Sequence, residues 1–440
     1  MVASALVSLS KKIIRPFSPT PFSERIYKLS FIDQFNSTQY IPLVFFYPKN
    51  KGNIEPSDMC KVFENSLSKT LAAYYPFAGT LRDNICVECN DIGADFFKAR
   101  FDCPMSEILK SHNRDVKESV YPKDIPWSDA SNKKLVTVQF NQFDCGGIAL
   151  SACISHKIGD FCTVINFFHD WAAIARDSNG KVCPQFIGSS IFPPTNEPVN
   201  EPPRIKSCVT KKLVFSNHTL KSFITESSSL EVKEPTRVEI LTSLLYKCGM
   251  KAVLENNSSS SSIFNPSILF QTVNLRPFIP LPENTAGNFS SSLFVPTYIE
   301  EETKLSTLVS QLRKGKEEVI NNFKKCEGGQ DLVSATKGPF QEIRKLYKEV
   351  DFQLYRCSSL ANYPIYDVDF GWGRPKQITM ADSPLRNTFS LFDDNTGNYI
   401  EALVALDDEI TMSTFEREME QLLESQLPTE ENKTEASAHC

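Results

Sequence analysis

The chain has 440 residues, 41% hydrophobic and 23% charged, with a formal net charge of -6. Its length exceeds one ordinary core and predicts more than one domain, while the small net charge excludes a global field for holding nucleic acid or an anionic membrane surface. The first ten residues are mildly apolar, too short for a membrane span and without the basic start of a secretion signal, so a cytoplasmic protein with no membrane insertion is expected.

In chain order, Asp58 to Ala73 carries Met59, Val62, Phe63, Leu67 and Leu71 at near-helical spacing, with Ser57 as the expected N-cap and Pro76 as the stop. Cys86 and Cys89 have the spacing of half a zinc site, but no second Cys or His pair follows at ligand spacing, so no metal is expected. The odd count of 13 Cys, mostly inside apolar runs, reads as reduced thiols. Lys134 to Phe143 alternates as a strand, Asp144-Cys145-Gly146-Gly147 supplies a turn, and Ile148 to Ser155 reads as a buried strand. From Asp160 to Arg176 the apolar residues return to helical spacing, so His156 falls in a turn between strand and helix.

The pattern dissolves into Ser, Asn, Gly and Pro between Asp177 and Ser207, which places a linker at 191–210 between a domain at 1–190 and another at 211–427. Thr236 and Glu239 form a capping box for a helix with Leu241, Leu244, Leu245, Cys248 and Ala252 on one stripe. The Asn257 to Ser262 tract reads as a loop, Ser267 to Val273 as a buried strand, 301–325 as a charged helix and 413–424 as a capped one. The polar tail at 428–440 is expected to be disordered.

Two motifs carry chemistry. His156-Lys157-Ile158-Gly159-Asp160 is a weak signal alone, since H-x-x-x-D arises by chance in about one chain in four of this composition. Asp369-Phe370-Gly371-Trp372-Gly373 uses one of only three Trp and two Gly at fixed positions, and lends weight to the first. A His at a strand end is suited to general base catalysis because its pKa lies near neutrality. Asp160 is placed either to orient the imidazole, as in a triad, or to cap the following helix. No G-x-S-x-G elbow accompanies them, which favours a base acting directly on an acceptor in a ternary complex over a covalent intermediate.

Taken with Tyr74-Tyr75-Pro76-Phe77-Ala78-Gly79, Phe143-Asp144-Cys145-Gly146-Gly147, Asn274-Leu275-Arg276-Pro277 and Ala286-Gly287-Asn288, the two motifs resemble the BAHD acyl-CoA-dependent acyltransferases of plants in order and spacing, over nearly the whole chain. Within that family the chain looks closest to members that acetylate alkaloid hydroxyls. The resemblance implies an α/β fold of two chloramphenicol-acetyltransferase-like domains, with mixed sheets and helices and a channel between them. It implies His156 as general base, and acyl-CoA, above all acetyl-CoA, as cosubstrate, with no permanently bound cofactor. The partners implied are a small-molecule alcohol and acyl-CoA, on a monomer. Asp160 would pair with Arg276 in a structural role. Asp369, Gly371, Trp372 and Gly373 would be architectural, with Trp372 alternatively a donor to the oxyanion. Gly287 and Asn288 would lie beside the pantetheine, and Lys251 near the CoA phosphates.

The chain departs from the family at Leu360-Ala361-Asn362-Tyr363, where relatives carry Trp-Cys-Arg, and at Gly159, where relatives carry Ala. The first change is expected to shift acceptor or donor preference, and the second to widen the channel or loosen the turn. Malonyl or longer-chain transfer, N-acylation and a degenerate binding protein are the competing functional readings. A carrier-protein condensation enzyme shares H-x-x-x-D, but Phe161 and the second motif disfavour it.

Overall fold

A computed structural model describes residues 6–49, 52, 54–177, 181–195, 208–229, 232–256 and 264–425. The polar tract at 257–262, the tail at 428–440 and residues 196–207 of the expected linker lie outside them. The first half of the chain supplies β1 (Leu6–Ile14), β2 (Ile26–Lys28), α1 (Phe31–Phe35), β3 (Tyr40–Tyr47), α2 (Pro56–Ala73), β4 (Thr80–Arg82), β5 (Cys86–Glu88) and β6 (Ala94–Phe101). It continues with α3 (Met105–Lys110), α4 (Arg114–Glu118), β7 (Val136–Gln142), β8 (Ile148–Ser155), α5 (Phe161–Arg176) and α6 (Gly188–Ile191). The second half supplies β9 (Val209–Ser216), α7 (Asn217–Ser227), α8 (Arg237–Asn256), β10 (Ser267–Asn274), β11 (Ser290–Thr297), α9 (Leu305–Lys324) and α10 (Gly329–Glu349). It closes with β12 (Gln353–Ser359), β13 (Gln377–Met380), β14 (Thr388–Asp393), β15 (Tyr399–Leu406) and α11 (Glu409–Glu424).

These strands form two six-stranded mixed sheets, ordered β1-β6-β7-β8-β3-β13 and β11-β10-β12-β14-β15-β9, and a small sheet β2-β5-β4. Helices α2 and α5 cover one face of the first sheet, where Phe63, Leu67, Phe168 and Trp171 pack on Phe45, Leu150 and Ile154. Helices α8, α9 and α11 do the same for the second, around Leu241, Leu245, Leu312, Phe389 and Phe415. Three expected helix starts are corrected. Glu55 stands at the N-cap position of α2 without a side-chain capping bond, and Pro56 follows in the first turn, where proline's missing N–H costs nothing. Asp408 caps α11, accepting from the Thr411 N–H, a full turn before Ser413. The segment at 301–303 is a short 3-10 turn ahead of α9.

The two halves exchange segments. Strand β13 pairs antiparallel with β3, Gln377 opposite Phe46 and Met380 opposite Leu43, and so extends the first sheet. Leu360, Ile365, Val368 and Phe370 are buried in the first core, whereas Phe31 and Ile32 of α1 are buried in the second. Burial of Phe370 and Ile378 in the first core ties residues 360–380, with the second motif, to the first sheet from beyond the expected linker at 191–210. No helix among the described residues is long and apolar enough to cross a membrane.

Candidate functional site

Strand β8 is central in its sheet and buried along all eight residues, because it alternates apolar side chains toward α2 and α5 with small ones on the opposite face. Its end is pinned by pairing of Ser155 with Tyr40 and by the His156 N–H donating to the Gln39 carbonyl at 3.0 Å. The Ile158 N–H returns to the Ser155 carbonyl at 3.2 Å, so the chain turns sharply there before α5. This turn holds the imidazole of His156 in a partly exposed position at the seam between the halves. Enclosure in the protein lowers its pKa below the ordinary imidazole value, partly offset by the Asp160 charge and the Asn288 hydrogen bond, so the ring is a neutral base near pH 7.

The imidazole Nδ1 lies 3.1 Å from Asn288 Oδ1. Asn288 Nδ2 donates to the His156 carbonyl at 2.8 Å and to Asp33 Oδ1 at 2.8 Å. Both of those partners are acceptors only, so the amide cannot be turned around, and its oxygen must face the ring. A carbonyl oxygen accepts; Nδ1 therefore carries the proton, and Nε2 keeps its lone pair. Among the described residues no Ser or Cys side chain hydrogen-bonds this ring.

Of the two roles the sequence left open, Asp160 takes the helix cap, and it also makes the Arg276 pairing that the resemblance implied. It caps α5, Oδ1 accepting from the Thr163 N–H at 3.0 Å, and it binds Arg276 with Nη1 2.6 Å from Oδ2 and Nη2 3.1 Å from Oδ1. The Phe289 N–H adds a third donor at 2.9 Å. Burial alone would raise the Asp160 pKa, but the charge and hydrogen bonds of Arg276 outweigh it and hold the carboxyl below its ordinary value. Arg276 also donates to Thr163 Oγ1 at 3.0 Å and to the Gly287 carbonyl at 3.1 Å, with its guanidinium over the Phe289 ring.

Gly287 and Asn288, expected beside the pantetheine, are engaged within the protein by these contacts. Asn288 has 0% exposure and its amide is committed to His156 and Asp33, while the buried Gly287 is bonded to Arg276, Thr163 and the Asp160 N–H. At Gly159 a Cβ would stand 2.7 Å from Thr163 Cγ2 and 2.9 Å from Thr163 Cβ, so the missing methyl makes room for Thr163 inside the turn.

Lys251, on α8, is half exposed and ion-paired with Glu418 of α11, beside a cavity of about 300 Å³ shared with Lys247 and Met250. A larger groove of about 910 Å³ opens between the halves, lined by Phe46, Thr379 and Met380 of the first sheet and Val209 and Leu403 of the second; His156 does not line it. In the departing segment, Asn362 adopts φ of +67°, a conformation that amides tolerate, and its N–H donates to Asp393. The neighbouring Tyr363 ring packs edge-on against Phe161 at 5.2 Å.

The second motif packs on the first core through Phe370 and Trp372. Asp369 Oδ1 accepts from the N–H groups of Gly371 at 2.7 Å and Gly373 at 2.9 Å, closing a tight loop whose φ values of +111° and +105° only glycine adopts without strain. Phe370 is 1% exposed, 4.7 Å from the Phe63 ring and 5.3 Å from Trp171. Trp372 stacks on Phe370 and meets Phe63 at 5.0 Å; its buried Nε1–H has no hydrogen-bond partner among the described residues.

Two residues were missed from sequence. Asp33 has 0% exposure and receives the Ser30 N–H at 2.9 Å, the Tyr27 hydroxyl at 3.1 Å and the Asn288 N–H at 3.0 Å. Lys157, 2% exposed, donates to the carbonyls of Asp33 at 3.2 Å and Gln34 at 2.8 Å, and burial draws its pKa down to about 8. The one signal available was Ser30-x-x-Asp33, a capping box ahead of a very short helix.

A model of the Transferase family matches residues 6–422. Acyltransferase Pun1 of Capsicum frutescens is 41% identical, over 96% of this chain and 98% of its own. Deacetylvindoline O-acetyltransferase of Catharanthus roseus is 35% identical, over 95% and 97%. The crystal structure of vinorine synthase superposes with a TM-score of 0.81 at 27% identity, covering 92% of this chain and 96% of that one.

Proposed function

The chain belongs to the Transferase family, the BAHD acyltransferases, and is an acyltransferase; from that premise we propose that it moves acetyl from acetyl-CoA to a hydroxyl of an alkaloid or similarly bulky plant metabolite. One observation carries the reading: His156 presents a neutral imidazole whose Nδ1 is held by Asn288, leaving Nε2 as the base. In this reading Nε2 takes the hydroxyl proton as the alcohol oxygen bonds to the thioester carbonyl carbon. The tetrahedral oxyanion then expels the CoA sulfur, and Nε2 returns the proton to it, releasing an ester and free CoA thiol. A positioned base contributes roughly 10² to 10⁴-fold, and holding both substrates in one complex supplies further acceleration.

Asp160 and Arg276 hold the turn that aims His156 and take no part in proton transfer, their bonds being directed at each other and at the Phe289 backbone. Lys251, half exposed on α8, is the proposed cation for the CoA phosphates, in competition with Glu418. The name of the deacetylvindoline relative supports O-acetylation of an alkaloid alcohol. The test is thiol release by the purified protein offered acetyl-, malonyl- and longer acyl-CoAs with panels of alkaloid alcohols and amines. Acetyl-CoA with an alcohol is expected to turn over fastest. A preference for malonyl-CoA or for amines would overturn the finer assignment, and no turnover with any pair would overturn the function.

A further inference from the structure

We propose that Asp33 is a positioning residue for His156: its carboxylate locks the amide of Asn288, and the locked amide fixes which imidazole nitrogen carries the proton. The inference rests on the reading of His156 as general base, and adds the reason why Nε2 is free to act.

Four donors converge on Asp33: the Ser30 N–H and Tyr27 hydroxyl on Oδ2, the Asn288 N–H and Nδ2 on Oδ1. Three of these donors are N–H groups that cannot accept, and the Tyr27 hydroxyl donates beside them, so the network matches the ionised, acceptor-only form. Burial pushes its pKa up and the donors pull it back. Such a carboxylate is costly to bury, and α1 needs only the Ser30 side chain to cap it. What the charge adds is an unambiguous acceptor for Asn288 Nδ2. With a neutral partner able to donate, the Asn288 NH2 would keep only the His156 carbonyl as a fixed acceptor, and a turned amide, presenting its NH2 to Nδ1 and shifting the proton to Nε2 where it blocks the base, would compete.

The parts come from both halves. Asp33 sits on α1, whose Phe31 and Ile32 are buried in the second core, and Lys157 ties the same helix to the His156 turn. Asn288 stands just before β11. The base is therefore set only when the two halves are packed.

The test is ring-nitrogen NMR of the 15N-histidine-labelled full chain, with the His156 signals among the five histidines assigned by their loss in His156→Ala. Wild type is expected to show protonated Nδ1 and bare Nε2. Asp33→Asn is expected to move the proton to Nε2 and to lower kcat on the order of 10²-fold or more with little change in KM. Asn288→Ala is expected to give mixed tautomers, and Asp33→Asn should cost nothing further in that background. Asp33→Asn with wild-type tautomer and kcat would overturn the proposal. If Asp33→Asn does not fold, wild type decides, since protonated Nε2 there would overturn it as well. Full turnover by His156→Ala would instead sink the general-base reading and leave the tautomer result standing.

Discussion

Asp160 and Arg276 form a two-pronged ion pair, Nη1 to Oδ2 at 2.6 Å and Nη2 to Oδ1 at 3.1 Å, that fastens the N-terminus of α5 to the segment following β10. Both side chains are largely shielded, Asp160 at 11% and Arg276 at 15% exposure, so removing one leaves the other buried and unpaired. Arg276→Ala is expected to cost about 3–5 kcal/mol. Replacing both partners, as Asp160→Asn with Arg276→Met, should cost less than the sum of the single changes. Urea unfolding measures each. The Asp160 pKa is below its unfolded value, so its stabilisation is complete above that value and is lost as pH falls through the folded one. Arg276→Met should flatten this acid limb of the unfolding free energy.

The activity should have an acid limb of its own. His156 acts as neutral base, and enclosure lowers its pKa. The pH profile of kcat/KM is expected to hold its plateau down through about 6.5, the free imidazole value, and to fall only below it. A limb centred above that value would assign the titration to another group.

Gly159→Ala tests the packing of the turn. The added Cβ would meet Thr163 at 2.7 Å, and Thr163 is bonded to both Gly287 and Arg276. A loss of about 1–3 kcal/mol is expected, read as a lowered thermal midpoint, with partial recovery in the Gly159→Ala, Thr163→Ser double variant. An unchanged midpoint would mean that the turn yields freely.

The second motif should behave as core. Phe370→Ala is expected to cost about 3–5 kcal/mol, because Phe370 is packed against Phe63 and Trp171. Trp372→Phe keeps the ring contact and removes an N–H that bonds nothing among the described residues. Its kcat should stay within about tenfold of wild type, against the 10² to 10³-fold loss that deleting an oxyanion donor brings. A loss of that larger size would make Trp372 the donor.

Much of this was legible in sequence where one rule governs locally. The strand, turn and helix around His156 follow from apolar period and turn chemistry, and the α8 start from the Thr236 and Glu239 capping box. Tyr40–Tyr47 was not read as a strand although it is central and fully buried. Its Pro42 argues against an inner strand, yet stands beyond Leu43, the last residue that β13 pairs, where no ladder N–H is needed. Helix α10 was hidden by Pro339. Asp33 was invisible because its meaning comes from Asn288, 255 positions away, and the exchange of 360–380 between halves likewise depends on partners distant in sequence.

The most direct measurement is thiol release by His156→Ala beside wild type, with the donor and acceptor pair that wild type turns over. Loss of kcat by roughly 10² to 10⁴-fold, with the folded state intact by thermal melt, is the predicted result. Retention of full activity would contradict the assignment of His156 as the base.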